Sequence, residues 1–455
     1  MSEAREAREQ AADAATSKVV GWLEAELGGK VVSIERQARW RPVWWAEVES
    51  SEGPLSLCVR GDRIDTEYTW SMEHEMRFQK TLADLGMPVP NVYGWIDEPR
   101  AYVMDRVPGR DNFTGSSDEE RDQVVDEYLQ ALAAIHTLDL APFDAAGIDR
   151  AASPEDSGRV GARRMIRMYR NQKVRPDPFT EFALGWLERH PAQSHGREGP
   201  VVWDSGQFHH EGGHITGVID LELGHVGDPM MDLAGWRMRD SIVPFGDFAR
   251  LYDRYGELVG EPVDLDAVQL HHIFFTLSNQ LAFSHAVKDP PPGSDFATNM
   301  QWCNETNLYV TEGIAEYLDV ELPTVEMPEP TRTRVSSVHQ HLARSLRGLQ
   351  IDDEYIRHQV RISFRVAQHL ARYDEIGPAV EEANLDDLVP VLGHRPDGWE
   401  EGDAELERFV LADADGAHDE VLLGLFHRRN LRAQMLNAPA GSAMARHNPI
   451  QPFAR

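Results

Sequence analysis

Cysteine is almost absent from this chain, and so are long apolar runs. The 455 residues include only two cysteines, Cys58 and Cys303, which are too few for a disulfide framework or a four-cysteine zinc site. No run of about 18 apolar residues occurs, so no membrane span is expected. The amino-terminal stretch is charged and rich in alanine, which does not fit a secretory signal. We therefore expect a cytoplasmic protein.

Basic residues are also scarce. The chain has 45 Lys and Arg against 76 Asp and Glu, which gives a net charge of −31. Such a field repels nucleic acid and anionic membrane surfaces, so neither is expected as a partner. The composition, 41% hydrophobic and 27% charged, is typical of a globular protein, and the length predicts two or three domains.

Carboxylates are concentrated around one short group of predicted strands between residues 201 and 236. Two β-branched runs, at 201–202 and 215–219, are short strands, and Gly212-Gly213 forms the hairpin turn before the second of them. A buried carboxylate costs free energy unless something pairs with it, and a divalent metal or a substrate proton would supply that pairing. The carboxylates at or beside the strand ends are Asp204, Asp220, Glu222, Asp228 and Asp232.

The order of the predicted elements divides the chain into four parts. An amino-terminal helix and a β-β-β-α-β-β unit occupy residues 1–108, and mostly helices with the carboxylate-rich hairpin occupy 109–322. Residues 323–333 are rich in proline without periodicity, which predicts a linker. Residues 334–455 predict a further helical domain.

Several strings in this order resemble aminoglycoside phosphotransferase-like kinases. MEHEMRFQKTLADLGMPVPNVYGW is similar to their helix C and the loop after it, and YVMDRVPGR to their hinge. The most specific string, ITGVIDLELGHVGDPMMDLA, resembles their metal-binding strand and the acidic turn that follows. The resemblance implies an α+β, two-lobed protein-kinase-like fold, with a small β-rich N-lobe and a mostly helical C-lobe. The additional C-terminal helical domain, residues 334–455, lies outside the region of resemblance.

The resemblance also implies roles for individual residues. Asp220 takes the place of the acid that holds Mg²⁺ against the nucleotide phosphates. Glu75 matches the helix-C acid, and Arg60 lies where the family has a basic residue on the third strand, a pair that would orient the phosphates. Met104, in the hinge string, would contact the nucleotide. Asp228 and Asp232 match the turn that braces the catalytic loop.

The catalytic loop departs from the family pattern H-G-D-x-x-x-x-N. The corresponding string, 202–208, is VWDSGQF, in which Gln207 replaces the metal-binding Asn. Asp204 is the catalytic base if two loop residues have been deleted. Otherwise Val202 falls at the base position and the chain has no base.

The expected phosphate-covering loop, 38–42, contains no glycine, although Arg39 or Arg41 could contact phosphates as charges. The leading hypothesis is therefore a phosphotransferase that uses ATP and Mg²⁺ to phosphorylate a hydroxyl of a small molecule. The alternative is a pseudokinase, a binding or scaffold protein that keeps the fold without phosphotransfer. Three roles are open for the C-terminal helical domain, which are docking, formation of a homodimer and closure over the substrate as a lid.

Overall fold

The structure, a computed structural model, describes residues 2–37, 41–62, 69–290, 294–437 and 447–453. It contains two compact units. The first unit consists of residues 1–150 and 198–226, and the second of residues 151–197 and 227–455. Each unit is described in turn.

An antiparallel sheet of five strands dominates the first unit. The strand order is β1-β2-β3-β5-β4, and the register pairs Arg60 with Tyr102 and Cys58 with Met104 across β3 and β5. The strands are β1 (Lys30–Arg36), β2 (Val43–Ser50), β3 (Gly53–Gly61), β4 (Val92–Ile96) and β5 (Ala101–Asp105).

The core of this unit lies between the sheet and an amino-terminal helix, α1 (Ser2–Leu27). Alternation along β2 and β3 places Trp44, Leu57 and Val59 on the buried face, because successive side chains of a strand point to opposite sides. Val19 and Leu23 of α1 cover them with the helical spacing of four residues. Trp44 therefore belongs to the core, as its position in a small β-lobe predicts.

Two helices and a hairpin complete the first unit. The helix α2 (Met72–Asp84) begins after Ser71, whose side chain accepts a hydrogen bond from the His74 amide at 3.3 Å. A second helix, α3 (Asp118–His136), and a short one, α4 (Ala141–Ala145), follow. Strands β7 (Phe208–Glu211) and β8 (His214–Val218) form the predicted hairpin through Gly212 and Gly213, both with positive φ. The short strands β6 (Gly199–Val201) and β9 (His225–Gly227) pair separately.

The second unit is helical in its described residues. The long α9 (Leu265–Lys288) and α10 (Phe296–Leu318) run side by side, and α15 (Asp419–Asn437) packs on α10. A 3₁₀ turn (Pro154–Arg159) precedes the helices, which are α5 (Val160–Gln172), α6 (Pro178–Arg189), α7 (Met230–Asp240), α8 (Phe248–Val259), α9 (Leu265–Lys288), α10 (Phe296–Leu318), α11 (Ser336–Arg347), α12 (Glu354–Asp386), α13 (Val389–Leu392), α14 (Trp399–Ala412) and α15 (Asp419–Asn437).

Residues 447–453 form an extended segment on the second unit, which we call the tail strap. Its first residue, His447, lies 2.9 Å from Glu305 and 2.5 Å from Glu312, both on α10. Further along, the carbonyl of Gln451 accepts hydrogen bonds from the Arg237 guanidinium, the shorter at 2.7 Å. Phe453 lies against the same guanidinium, 3.9 Å from its carbon to the ring centre. Ionic and aromatic contacts thus anchor both ends of the strap.

The His447 ion pairs should make stability depend on pH. Burial lowers the pKa of His447, but hydrogen bonds to Glu305 and Glu312 outweigh that and raise it to about 9. An unfolded histidine has a pKa of about 6.5. Because the folded pKa is the higher one, the stabilisation is complete below about pH 6.5 and disappears as the pH rises through about 9, a loss of about 3 kcal/mol.

Urea unfolding of the wild type and of His447→Gln at pH 6 and pH 9.5 measures this effect. We expect the difference in unfolding free energy between the two proteins to be large at pH 6 and to shrink at pH 9.5. An equal difference at both pH values would contradict a protonated His447 in the folded protein.

The predicted α+β class, with a β-rich amino-terminal part and a mostly helical remainder, is confirmed. The division at residues 108, 322 and 333 stays a prediction, although residues 321–333 contain neither helix nor strand. Among the described residues, no helix has both the length and the apolar composition that crossing a membrane requires.

Candidate active site

Arg60 is the centre of an ionic cluster in the first unit. Its Nε lies 2.9 Å from Oε1 of Glu75, and its Nη2 lies 2.6 Å from Oδ1 of Asp220. Strand β3 supplies the arginine, helix α2 the glutamate, and the residues after β8 the aspartate. Three of the residues predicted from the family resemblance are therefore in direct contact.

Arg41 and Glu222 close this cluster into a ring. Nη2 of Arg41 lies 2.8 Å from Oε2 of Glu222, and its Nη1 lies 3.8 Å from Oε2 of Glu75. The same Glu222 oxygen is 3.4 Å from Nη2 of Arg60. We call these five side chains the ionic ring. Its three carboxylates and two guanidinium groups leave one net negative charge, so it can accept a further cation.

Burial makes these charges interdependent. Arg41 and Glu75 are 2% and 3% exposed. Burial raises the pKa of Glu75, whereas Arg60 and Arg41 oppose the rise. Burial would also lower the pKa of Arg60, yet Glu75 and Asp220 raise it well above its ordinary value. The Arg60 guanidinium therefore stays charged. Removal of any one member of the ring would leave a buried charge without its full set of partners, which costs free energy.

Tyr102 on β5 supports the ring, and Gln79 on α2 contacts the Tyr102 hydroxyl, 3.1 Å from its Oε1. The Tyr102 hydroxyl donates to Oε1 of Glu75 at 3.0 Å. Burial, followed by Glu75, raises the pKa of Tyr102 well above its ordinary value, so the hydroxyl keeps its proton. The Gln79 amide nitrogen donates to the Pro90 carbonyl at 2.9 Å and lies 3.4 Å from the sulfur of Met104. Met104 itself lies near the end of β5, and its proposed contact with nucleotide stays a prediction.

Asp204 and Gln207 face each other across a tight loop. The Gln207 amide nitrogen donates to Oδ2 of Asp204 at 2.8 Å. The backbone carbonyl of Gln207 accepts from the Ile219 amide at 3.0 Å, at the open end of the β7–β8 hairpin. Because Asp220 follows Ile219 directly, the hairpin brings both halves of the predicted site to one end of the same two strands.

The residue before Asp204 has an unusual backbone. Trp203 has φ of 62°, in the left-handed region that glycine prefers and bulky residues avoid. Its ring is 1% exposed and packs edge-on against Trp70 and His225, with ring centres 6.2 Å and 5.3 Å away. In the family pattern H-G-D, the residue before the catalytic Asp is glycine. An alignment of Asp204 with that Asp places Trp203 at the glycine position of the pattern.

Asp220 also has a positive φ, 60°. Such a conformation costs free energy in a non-glycine residue and is concentrated at functional sites. Asp220 and Glu222 approach the same Arg60 nitrogen, so both carboxylates are within reach of one cation. Within the described residues, no group of three His, Cys, Asp or Glu side chains is arranged to hold a metal, but Mg²⁺ typically takes only one or two carboxylates together with water and phosphate.

Of the other predicted positions, Asp228 and Asp232 lie in the second unit, and Arg39 lies outside the described residues. Asp228 is fully buried and accepts two hydrogen bonds from Arg197, each 3.1 Å long. Asp232 is also fully buried, and the bracing role of these two acids stays a prediction. Of the expected phosphate loop, residues 38–40, including Arg39, lie outside the described residues.

The sequence did not indicate how the ring closes. From the sequence, Arg41 is expected only as a phosphate contact, and no motif singles out Tyr102. The pairing of Arg41 with Glu222 spans 181 residues, so no local spacing reveals it. The available signal for Tyr102 was its place two residues before Met104 on a strand, which puts both side chains on the same face.

The family model described as "Phosphotransferase enzyme family" matches residues 38–271. Mouse (Mus musculus) acyl-CoA dehydrogenase family member 10 is 28% identical over 176 residues, which are 36% of this chain and 16% of that protein. Rat (Rattus norvegicus) acyl-CoA dehydrogenase family member 11 is 26% identical over 202 residues, 42% of this chain and 24% of that protein. The chain thus spans a quarter or less of these relatives.

Solved structures with a similar fold include the apoenzyme of macrolide 2'-phosphotransferase MphH from Brachybacterium faecium. It is 19% identical, with a TM-score of 0.43, and covers 59% of this chain and 92% of its own. Choline kinase LicA from Streptococcus pneumoniae is 15% identical, with a TM-score of 0.46, and covers 66% and 99%. The family match extends over more than half of the chain's 455 residues and includes four of the five strands of the sheet, the ionic ring and the hairpin. The chain therefore belongs to the phosphotransferase enzyme family and has its kinase-like fold.

Proposed function

We propose that this protein transfers the terminal phosphoryl group of ATP to a hydroxyl of a small molecule. The observation that carries the proposal is the shared end of the β7–β8 hairpin, where Gln207 bonds to Asp204 and its carbonyl pairs with Ile219, the residue before Asp220. The positive φ of Trp203 supports the alignment in which Asp204 is the base and two loop residues are missing. Val202, the competing position, is a buried aliphatic residue that cannot accept a proton.

In the proposed reaction, Asp204 accepts the proton of the acceptor hydroxyl. The hydroxyl oxygen then bonds to the terminal phosphorus of ATP, while the bond from that phosphorus to its bridging oxygen breaks and ADP leaves. Asp204 passes its proton to solvent. The Gln207 amide holds the carboxylate of Asp204 in place, and Arg60, fixed by Glu75, directs positive charge toward the phosphates.

The side chains fit a magnesium ion, which would neutralise charge on the phosphate oxygens. Asp220 would hold it, with Glu222 within reach of the same cation. The Gln207 nitrogen bonds to Asp204, so the oxygen of that amide is the atom that would face a metal. The net negative charge of the ionic ring favours the binding of such a cation.

Asp220→Asn should weaken the binding of ATP in the presence of Mg²⁺ by at least about tenfold, because a contact of a charged group contributes roughly 1.5–3 kcal/mol. Calorimetric titration with ATP, with and without Mg²⁺, measures this. Binding without Mg²⁺ should change much less, and Glu52→Gln, an exposed acid in the turn between β2 and β3, should bind like the wild type. No nucleotide binding by the wild type would end the proposal.

A second candidate, a pseudokinase that binds nucleotide without transfer, is favoured by one observation. Arg60 and Arg41 already form ion pairs with Asp220 and Glu222 in the structure, so the ring can be held together without a metal. This candidate predicts that nucleotide binds without any need for Mg²⁺ and is not turned over. The two titrations described above, followed by a turnover assay, distinguish the candidates.

The acceptor is proposed only as a hydroxylated small molecule. A thermal-shift screen with nucleotides and hydroxylated metabolites would narrow its class. Location in the cytoplasm and formation of a homodimer through the C-terminal helices also stay predictions.

A further inference from the structure

Tyr128 of α3 contacts the loop that carries Asp204. Its hydroxyl oxygen accepts a hydrogen bond from the Gly206 amide, with 2.6 Å between oxygen and nitrogen. Its ring lies 4.6 Å from the ring of Phe208, centre to centre, and the two ring planes are tilted by 31°. Gly206 and Phe208 are the two sequence neighbours of Gln207, whose side chain bonds to Asp204. One buried side chain therefore contacts the loop on both sides of Gln207.

The core of the first unit fixes the position of Tyr128. This residue is completely buried, and Val125, Leu129 and Leu132 lie beside it on the same side of α3. Each of these three residues is at most 2% exposed. A close-packed interior leaves a side chain little freedom to change its rotamer. The hydroxyl of Tyr128 therefore presents an acceptor to the loop at a constant position.

A second contact holds the loop on the other side of Asp204. Trp203 directly precedes Asp204, and its buried ring packs edge-on against Trp70 and His225. Two residues, 204 and 205, lie between this contact and the Gly206 amide. The carboxylate of Asp204 is therefore attached to a backbone that is fixed at both ends. A group held in this way reaches its reactive geometry at a lower entropic cost.

We propose that Tyr128 is a positioning residue for phosphoryl transfer, which keeps Gln207 and Asp204 in the arrangement that accepts the proton of the acceptor hydroxyl. The inference rests on the proposed function, in which Asp204 is the base. In the pattern H-G-D-x-x-x-x-N, four residues separate the Asp from the Asn, but here two residues separate Asp204 from Gln207. A shorter loop has fewer backbone groups that can bond to one another, so a contact from α3 supplies part of this support. Tyr128 acts through Gln207 and not on the substrate.

Tyr128→Phe in the full chain removes the hydroxyl and keeps the ring against Phe208. We expect kcat to fall by roughly tenfold, because a small displacement of a catalytic group is costly. The KM for ATP and the affinity for ATP with Mg²⁺ should stay within about twofold of the wild type, because the ionic ring is unchanged. Steady-state kinetics with an acceptor from the thermal-shift screen, together with calorimetric titration, measures this separation. A loss of stability alone would not separate kcat from the binding of ATP.

Tyr309→Phe is the matched control. This tyrosine lies in the second unit, is 1% exposed and donates a hydrogen bond to Oε1 of Glu305 at 2.9 Å. The control therefore also loses the hydrogen bond of a buried tyrosine hydroxyl, but it should keep the wild-type kcat. Thermal melts check that both variants fold. An equal fall of kcat in both variants would assign the effect to a general loss of stability and overturn the proposal.

Hydrogen–deuterium exchange tests the contact without an acceptor. Peptides that cover residues 203–208 should exchange at least roughly tenfold faster in Tyr128→Phe than in the wild type, and at the wild-type rate in Tyr309→Phe. Unchanged exchange in Tyr128→Phe, or an unchanged kcat, would overturn the proposal. A wild type that transfers no phosphate to any acceptor would instead overturn the proposed function itself, and the role of Tyr128 in catalysis with it. The two failures differ because only the first occurs in a protein that transfers phosphate.

Discussion

Asp204→Asn should lower the rate of phosphoryl transfer by roughly 10²–10⁴-fold, the usual contribution of a positioned general base. The substitution keeps the size of the side chain and its hydrogen bond with Gln207, but an amide cannot take the proton of the acceptor hydroxyl. Affinity for ATP with Mg²⁺ should stay near the wild-type value, because the ionic ring is intact. Steady-state kinetics with an acceptor from the thermal-shift screen measures kcat, and titration measures binding.

Glu211→Gln is the matched control. It changes an exposed carboxylate at the tip of the same hairpin, seven residues further along the chain, and should leave kcat unchanged. If Asp204→Asn transferred phosphate as fast as the wild type, Asp204 would not be the base and the alignment with two deleted residues would be wrong. An ATP-binding wild type that transfers nothing to any acceptor would point to the pseudokinase.

Glu75→Ala should lower the free energy of unfolding by about 3–5 kcal/mol, the range for removal of one partner from a buried ion pair. The glutamate is 3% exposed and faces Arg60 at 2.9 Å, Arg41 at 3.8 Å and the Tyr102 hydroxyl at 3.0 Å. Its loss leaves Arg60 and Arg41 buried with less negative charge and takes an acceptor from Tyr102. Urea unfolding monitored by circular dichroism measures the change.

Glu73→Ala provides the control on the same turn of α2. Glu73 forms a surface ion pair with Arg100 at 2.8 Å, and such pairs contribute roughly 0–1 kcal/mol. Glu75→Ala should therefore lower the free energy of unfolding several times more than Glu73→Ala does. Similar losses for both would mean that the change reflects helix propensity rather than the buried charges.

Local patterns in the sequence were sufficient to predict the sheet, the hairpin and the helix that carries Glu75. The β-β-β-α-β-β order of residues 1–108 and the Gly212-Gly213 turn each follow from short runs of consecutive residues. Arg60 and Glu75 could be paired in advance only because the family resemblance connects strand and helix. Their contact is present, while their action on a nucleotide stays a prediction.

Long-range closure of the ionic ring could not be predicted in this way. Arg41 contacts Glu222, which lies 181 residues further along the chain. Arg41 requires an acidic partner because it is buried, and that burial is known only from the folded structure. The ambiguity at the catalytic loop had a different cause. Alignment of the sequence with the family pattern leaves both Val202 and Asp204 as candidates for the position of the catalytic base. The backbone angle at Trp203, which only the structure gives, favours Asp204.

That backbone angle also limits which residue can replace Trp203. Replacement of Trp203 by the family's glycine would relieve backbone strain of about 1–3 kcal/mol. It would also leave a cavity beside Trp70 and His225, and loss of a buried tryptophan costs about 3–5 kcal/mol. The single substitution Trp203→Gly is therefore unfavourable unless the neighbouring side chains change as well. Packing thus holds the tryptophan in a backbone conformation that it would otherwise avoid.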